Sequence, residues 1–329
     1  NTVDAVVVGR FAGKEALSSV GGSSSQIINM VVGFFTGLSA GSTVIISQFY
    51  GARNKERMHK ALHTAYAFSI AFGIVFGILG VLFTPQILEA MNTPENLMAD
   101  SVLYVRIYFA GLIFILIYNI GSAILRAIGD SKRPLYYLIV CCGVNIVLDL
   151  VFVLGMQLGV LGVAVGTLIS QGISAVLVTR ALMYHTEDLK LELGKIRIEK
   201  DLMETMLQIG LPTGIQSCMY NLSNIIVQTA LNALGVDTMA AWTAFGKIDG
   251  LFWMMNGAFG IAATTFVGQN FGAGKYDRVK KGTQECLLMS ASCALLFSAV
   301  VMPSGAFLFG IFSTDSSVVQ IGLRMMHVI

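Results

Sequence analysis

The sequence predicts an all-α polytopic membrane protein of two pseudo-symmetric six-helix lobes in parallel repeat, with about ten of twelve transmembrane helices inside this chain. Three observations predict it: a composition unsuited to water, a series of long apolar runs, and a segment that recurs once at constant spacing. Of 329 residues, 55% are hydrophobic and 12% charged, about half the charged share of a soluble domain. The apolar stretches at 65–83, 103–125, 135–158 and 287–312 are long enough to cross a hydrocarbon layer of about 30 Å. Short alternating strands of the kind a membrane β-barrel needs are absent from the sequence.

In chain order the expected spans are 1–12, 16–49, 59–83, 97–125, 133–155, 159–184, 202–234, 238–271, 282–311 and 317–329. The first and last read as cut by the ends of the chain. Basic residues then set the orientation. The loops at 50–60, 126–133, 180–200 and 272–281 hold sixteen of the 21 lysines and arginines, and the alternate loops at 84–96, 155–159, 235–237 and 312–316 hold none. The positive-inside rule makes the basic loops cytoplasmic, and the expected location is the plasma (inner) membrane. The mixed-charge segment from His185 to Glu204 reads as an interlobe linker that includes an interfacial helix. The expected domains are thus 1–190, an N-terminal lobe with spans 1 to 6, and 191–329, a C-terminal lobe with spans 7 to 10.

At an offset of 221, TVIISQFYGARNKERMHK (43–60) aligns with TTFVGQNFGAGKYDRVKK (264–281). Thr43, Gln48, Gly51, Ala52, Arg57 and Lys60 meet identical residues. Both copies close a long span at a basic loop, so the repeat is parallel rather than inverted. The register implies about 20 residues ahead of Asn1, about 80 beyond Ile329 and the missing spans 11 and 12. The five cysteines lie mostly within apolar runs without a CxxC pattern and read as reduced packing residues.

ILRAIGDSKRP at 124–134, NTVDAVVVGR at 1–10 and the two Gln-x-x-Gly-Ala copies together resemble the multidrug and toxic compound extrusion (MATE) family in its prokaryotic branch. The resemblance runs over essentially the whole chain. It implies two six-helix lobes around a central cleft, alternating access, and antiport of small organic, often cationic, drugs or metabolites against Na+ or H+. Lipid-linked oligosaccharide flippases share the general architecture and form the second reading. They would be expected to present more basic groups inside the spans, where Lys247 and Arg324 are the residues noted.

Charged groups inside spans are costly and are functional candidates by default. Asp4 lies in the first span and Asp149 in the fifth, with Asn145 one turn before Asp149 on the same face. Thr167 of the sixth span completes an oxygen set suited to Na+, whereas a proton needs only burial beside a second carboxylate. Asp4, Asn145, Asp149 and Thr167 also match the cation site that the resemblance implies for the first lobe. A purely structural role for the two aspartates is the competing reading.

In the seventh span Gln216, Tyr220, Asn224 and Gln228 recur every four residues and form a slowly turning polar stripe. It either lines the substrate cleft or joins helices by hydrogen bonds. Met255, beside Trp253 and Met254, is a further cleft candidate. Tyr220 stands where some family members carry an acid, which speaks against a second-lobe Na+ site there. Lys247 and Asp249 are expected to neutralise each other. Gly21 to Ser25 reads as close helix packing, and His59 with His63 as a solvated cytosolic helix start.

No GxxxxGK[ST] loop, HExxH or plausible Ser-His-Asp grouping is present, and GLSAG at 37–41 lies within a long apolar span, not at a strand-to-helix elbow, so no enzyme and no cofactor other than a coupling ion is expected. The expected partners are small organic substrates and the lipid bilayer; nucleic acid is not implied, and the protein is expected to act as a monomer.

Overall fold

The computed structural model describes residues 2–11, 13–184, 189–232, 236–312 and 315–328. Among these the secondary structure is helical throughout. The helices are α1 (Thr2–Phe11), α2 (Lys14–Gly21), α3 (Ser23–Gly51), α4 (Lys55–Ala90), α5 (Glu95–Ala110), α6 (Leu112–Ala127), α7 (Lys132–Leu150), α8 (Gly159–Tyr184), α9 (Lys200–Asn232), α10 (Val236–Gly272), α11 (Tyr276–Val301), α12 (Gly305–Phe312) and α13 (Ser316–Val328). A π-helical turn, Val151–Gly155, extends α7.

Among the described residues six stretches are long and apolar enough to cross a membrane: Glu15–Gly51, Lys55–Ala90, Lys132–Gly155, Gly159–Tyr184, Asp237–Gly272 and Tyr276–Val301. The pair α5 and α6, bent by 46° at Gly111, makes a seventh if taken as one span. The other expected spans are helical, but α1, α12 and α13 are short, and α9 carries too many polar side chains for its length.

Besides the bend at Gly111, two more of the expected spans are interrupted. The span at 16–49 divides at Gly22, where a Cβ would meet the Ser18 carbonyl oxygen at 2.7 Å. The Gly21–Ser25 run is therefore a helix break rather than a packing stripe. The span at 282–311 stops at Val301, just before Pro303, which has no amide hydrogen to continue the ladder.

The repeat is visible in the backbone. Gly51 ends α3 and Lys55 opens α4; Gly272 ends α10 and Tyr276 opens α11, each pair at the sequence offset. Ala52 N–H donates to Gln48 O (2.9 Å) and Asn54 N–H to Phe49 O (3.0 Å); Ala273 N–H donates to Gln269 O (3.0 Å) and Lys275 N–H to Asn270 O (2.9 Å). The pivots, Arg53 (φ 56°) and Gly274 (φ 69°), are both left-handed, as a helix stop of this kind requires. ILRAIGDSKRP makes the same stop at Gly129 (φ 93°), with Asp130 N–H donating to Leu125 O (2.9 Å). Asp130 then accepts from Arg133 N–H (3.1 Å) at the start of α7.

By contact the chain forms two compact units, Asn1–Cys218 and Met219–Ile329. This contact division falls within α9. The first half of α9 stays with the first unit because glycines let two backbones touch. A Cβ on Gly37 would lie 2.7 Å from Gly214 N, and those on Gly41 and Gly210 would collide with the carbonyl oxygens of Met206 and Leu38. Gly-x-x-x-Gly on both helices is a close-crossing pattern. In the second unit Ala244, Phe245 and Ile248 of α10 pack with Phe309 and Met326.

The linker forms no interfacial helix among its described residues. It runs extended from Leu189 with one 3-10 turn, Leu193–Lys195, because its backbone is tied to α4. Leu189 and Leu191 are buried. Glu192 N–H donates to His63 Nε2 (3.1 Å), and Glu199 N–H to Thr64 Oγ1 (3.2 Å). His63 is consequently buried, with Nδ1 2.7 Å from His59 O, and is not solvated as expected. At the linker surface, the hydrogen bond and charge of Lys195 hold the Glu192 carboxyl below the usual carboxylate range.

Candidate cation-binding site

Three helices of the first unit bring the expected cation ligands together. Asp4 on α1 and Asp149 on α7 are buried, at 1% and 0% exposure, and Thr167 on α8 at 8%. Asn145 Nδ2 bridges two of the helices, donating to Asp149 Oδ1 and to Thr167 Oγ1 at 3.4 Å each. Thr167 Oγ1 in turn donates to Asp4 Oδ2 at 3.4 Å. These contacts are longer than the usual amide-to-oxygen distance of about 2.9 Å. The two carboxyl groups lie within electrostatic range of each other.

Local sequence explains the convergence. The four-residue spacing puts Asn145 and Asp149 on one face of α7. Small residues on α8 let that face approach: a Cβ on Gly162 would lie 2.9 Å from Phe152 Cβ, and one on Gly166 2.6 Å from Asp149 Oδ1. The Asp149 carboxylate therefore lies directly against the α8 backbone. The π turn follows at once, and such insertions are frequent at functional sites.

The donor set is two carboxylates, one amide and one hydroxyl, all oxygen as far as a cation is concerned. That fits a hard monovalent cation or a shared proton and not a soft transition metal. Among the described residues no group of three or more His, Cys, Asp and Glu could hold a metal ion. The five cysteines are free thiols.

Sequence reasoning missed two residues. Tyr104 of α5 is buried at 3% exposure and lies within electrostatic range of both Asp4 and Asp149. The signal was a phenol within an apolar run, three residues after Ser101, itself buried against the Ser19 carbonyl oxygen. Arg106, also on α5, is a charge within an expected span. Its Nε donates to Val81 O at 3.1 Å. Pro85, inside α4, has no amide hydrogen to give that carbonyl four residues back. Arg106 supplies the lost donor from the neighbouring helix.

Gln216, Tyr220 and Asn224 are exposed, and none makes a side-chain hydrogen bond to another described residue. Tyr220 stacks edge-on against Trp253 at 5.7 Å. Met255 is half-buried beside the exposed Met254, and the side chain of Gln228 lies outside those described. Lys247 and Asp249 form no ion pair, which corrects the expected neutralisation: residues two apart project from different faces of a helix.

The MatE family model matches residues 1–151 and 212–329. A probable multidrug resistance protein of Bacillus subtilis, YoeA, is 33% identical over 290 residues, covering 85% of this chain and 62% of that protein. A second from the same organism, YpnP, is 26% identical over 97% of this chain and 71% of its own length. The chain therefore spans about two thirds of these curated relatives. Among solved structures, an outward-facing multidrug resistance MATE transporter of the MOP superfamily superposes with TM-score 0.89 at 20% identity, covering all of this chain and 73% of that one. A MATE protein in its bent conformation gives the same TM-score over 99% of this chain and 72% of its own. The all-α fold, the integral membrane character and the resemblance are borne out: the chain belongs to the MatE (multidrug and toxic compound extrusion) family.

Proposed function

We propose that this chain is the ion-coupled portion of a secondary antiporter that exports small organic, often cationic, compounds in exchange for Na+ or H+ by alternating access. The observation that carries this reading is the buried Asp4–Thr167–Asn145–Asp149 chain joining α1, α8 and α7. Two neighbouring carboxylates in a dry helix bundle cannot both stay charged without a compensating cation or a shared proton. A group that binds and releases such an ion between helices from different parts of the chain can bias which packing those helices adopt. Asp4 and Asp149 supply the charge, and Asn145 and Thr167 orient it.

Gln216, Tyr220 and Asn224, with Met254 and Met255 on α10 next in sequence to Trp253, whose ring Tyr220 contacts, offer polar and adaptable apolar surface to organic ligands. The relatives' names, multidrug resistance and export proteins, favour this reading over a lipid-linked oligosaccharide flippase. In this reading the protein works as a monomer in the plasma membrane, with its basic loops in the cytoplasm.

The test is efflux of a fluorescent organic cation from vesicles holding the full-length protein, with Na+ and H+ gradients imposed separately. Asp4→Asn and Asp149→Asn are each expected to abolish gradient-driven efflux while leaving folded protein in the membrane. Transport that ignores both gradients, or full coupling in both variants, would refute the assignment.

A further inference from the structure

Away from the cation ligands, the outer surface of the first unit carries a groove of about 440 Å³ between α6 and α8. Its floor and walls are apolar: Phe114, Ile117, Val176 and Met183. Among the described residues lining it, Arg180 is the one that carries a charge. Arg180 is exposed and enters no ion pair with any described residue. Thr179 is already engaged, donating to Ala175 O and sharing a 2.6 Å contact with the Tyr66 hydroxyl. The exposed polar atoms at the mouth are therefore the Arg180 guanidinium and the hydroxyl of Tyr184, one turn further along α8 and 69% exposed.

The two helices are parallel here and their register is fixed. Gly172 faces the Phe114 ring at 4.0 Å, and a Cβ on Gly121 would press on Val178. From the level of Gly172 to Tyr184 α8 rises about 18 Å, close to the depth of one leaflet, about 15 Å. The groove thus runs from mid-bilayer to the polar boundary, apolar at depth, cationic and phenolic at the rim. A free cation does not suit that rim, and an apolar ligand alone leaves the guanidinium unanswered.

We propose that this groove is a binding site for an anionic phospholipid, with one acyl chain along Phe114, Ile117 and Val176 and the phosphate on Arg180 and Tyr184. Basic pockets between transmembrane helices are suited to such headgroups, and tyrosines favour the boundary. Assignment to the cytoplasmic leaflet rests on the orientation proposed above; the site itself does not.

Native mass spectrometry of the purified full chain in detergent, titrated with phosphatidylglycerol or with phosphatidylcholine of the same chains, tests it without reading transport. Wild type is expected to retain one phosphatidylglycerol about fivefold more strongly than phosphatidylcholine, the factor one interfacial basic residue gives. Arg180→Gln should remove that preference and Arg180→Lys restore most of it. Val176→Trp, at a position 64% exposed, should fill the groove and lower retention of both lipids. Undiminished preference in Arg180→Gln, unchanged retention in Val176→Trp, or competition by free glycerol phosphate as effective as by the lipid would each overturn the proposal. Failed ion coupling would overturn the antiporter reading and leave this one standing.

Discussion

Replacing Gly166 by alanine adds one methyl group at the most sensitive point of the candidate cation site. The new Cβ would lie 2.6 Å from Asp149 Oδ1, 3.4 Å from Leu148 Cβ and 3.6 Å from Asp149 N. The carboxylate must retreat by at least about 0.4 Å before that first contact reaches 3.0 Å. Since the clash is with the end of a side chain and not with backbone, rotation of the carboxyl relieves it, and the stability cost should fall at the low end of overpacking, about 1 kcal/mol. The ion site suffers more. Oδ1 is the atom that accepts from Asn145, and losing a hydrogen bond to a charged group costs about 1.5–3 kcal/mol, roughly ten- to a hundredfold in ion affinity. Gradient-driven efflux in vesicles, measured against coupling-ion concentration, should therefore show the half-saturating ion concentration raised at least about tenfold in Gly166→Ala. Gly143→Ala on α7, where nothing lies within 4 Å of the new atom, is the control and should behave as wild type. Wild-type ion dependence in Gly166→Ala would refute the placement of Asp149 in the coupling site.

Three further substitutions test the scaffold. Arg106→Leu leaves the Val81 carbonyl unanswered and should cost about 1–3 kcal/mol in a thermal or denaturant unfolding assay; the added Pro85→Ala, which restores the amide donor, should recover most of it, and additive losses would refute the pairing. Arg53→Gly relieves a left-handed non-glycine residue (φ 56°) where the repeat already has Gly274, and should stabilise by up to about 1 kcal/mol, read as a higher melting temperature. Gly41→Ala sets a methyl group into the Met206 carbonyl oxygen, a backbone clash that no rotamer relieves; a loss of 1–3 kcal/mol or more is expected, with cysteine crosslinking between α3 and α9 weakened.

Much of this protein was legible in the sequence because membrane physics leaves few choices. Long apolar runs must be helical where water cannot satisfy their amides, and Gln-x-x-Gly-Ala marks a helix stop whose two copies share every main-chain bond compared above. Asp4 and Asp149 were visible as charges where charges are costly, and the spacing of Asn145 and Asp149 fixed their common face. Other features depended on what lies alongside in space. Composition cannot say that Gly22 breaks a helix while Gly166 makes room for a carboxylate, because the difference is the neighbouring atom. The linker had the mixed charge of an interfacial helix, yet the His63 and Thr64 side chains took its amides and held it extended. Arg106 could be understood only once Pro85 of another helix lay beside it, since a lone cation in an apolar run names no partner. The sequence by itself thus determined the class of fold, the helix stops and the residue types able to hold an ion. Tertiary structure decided which of them meet, since packing sets distances between residues far apart in the chain and local periodicity sets only the face each presents.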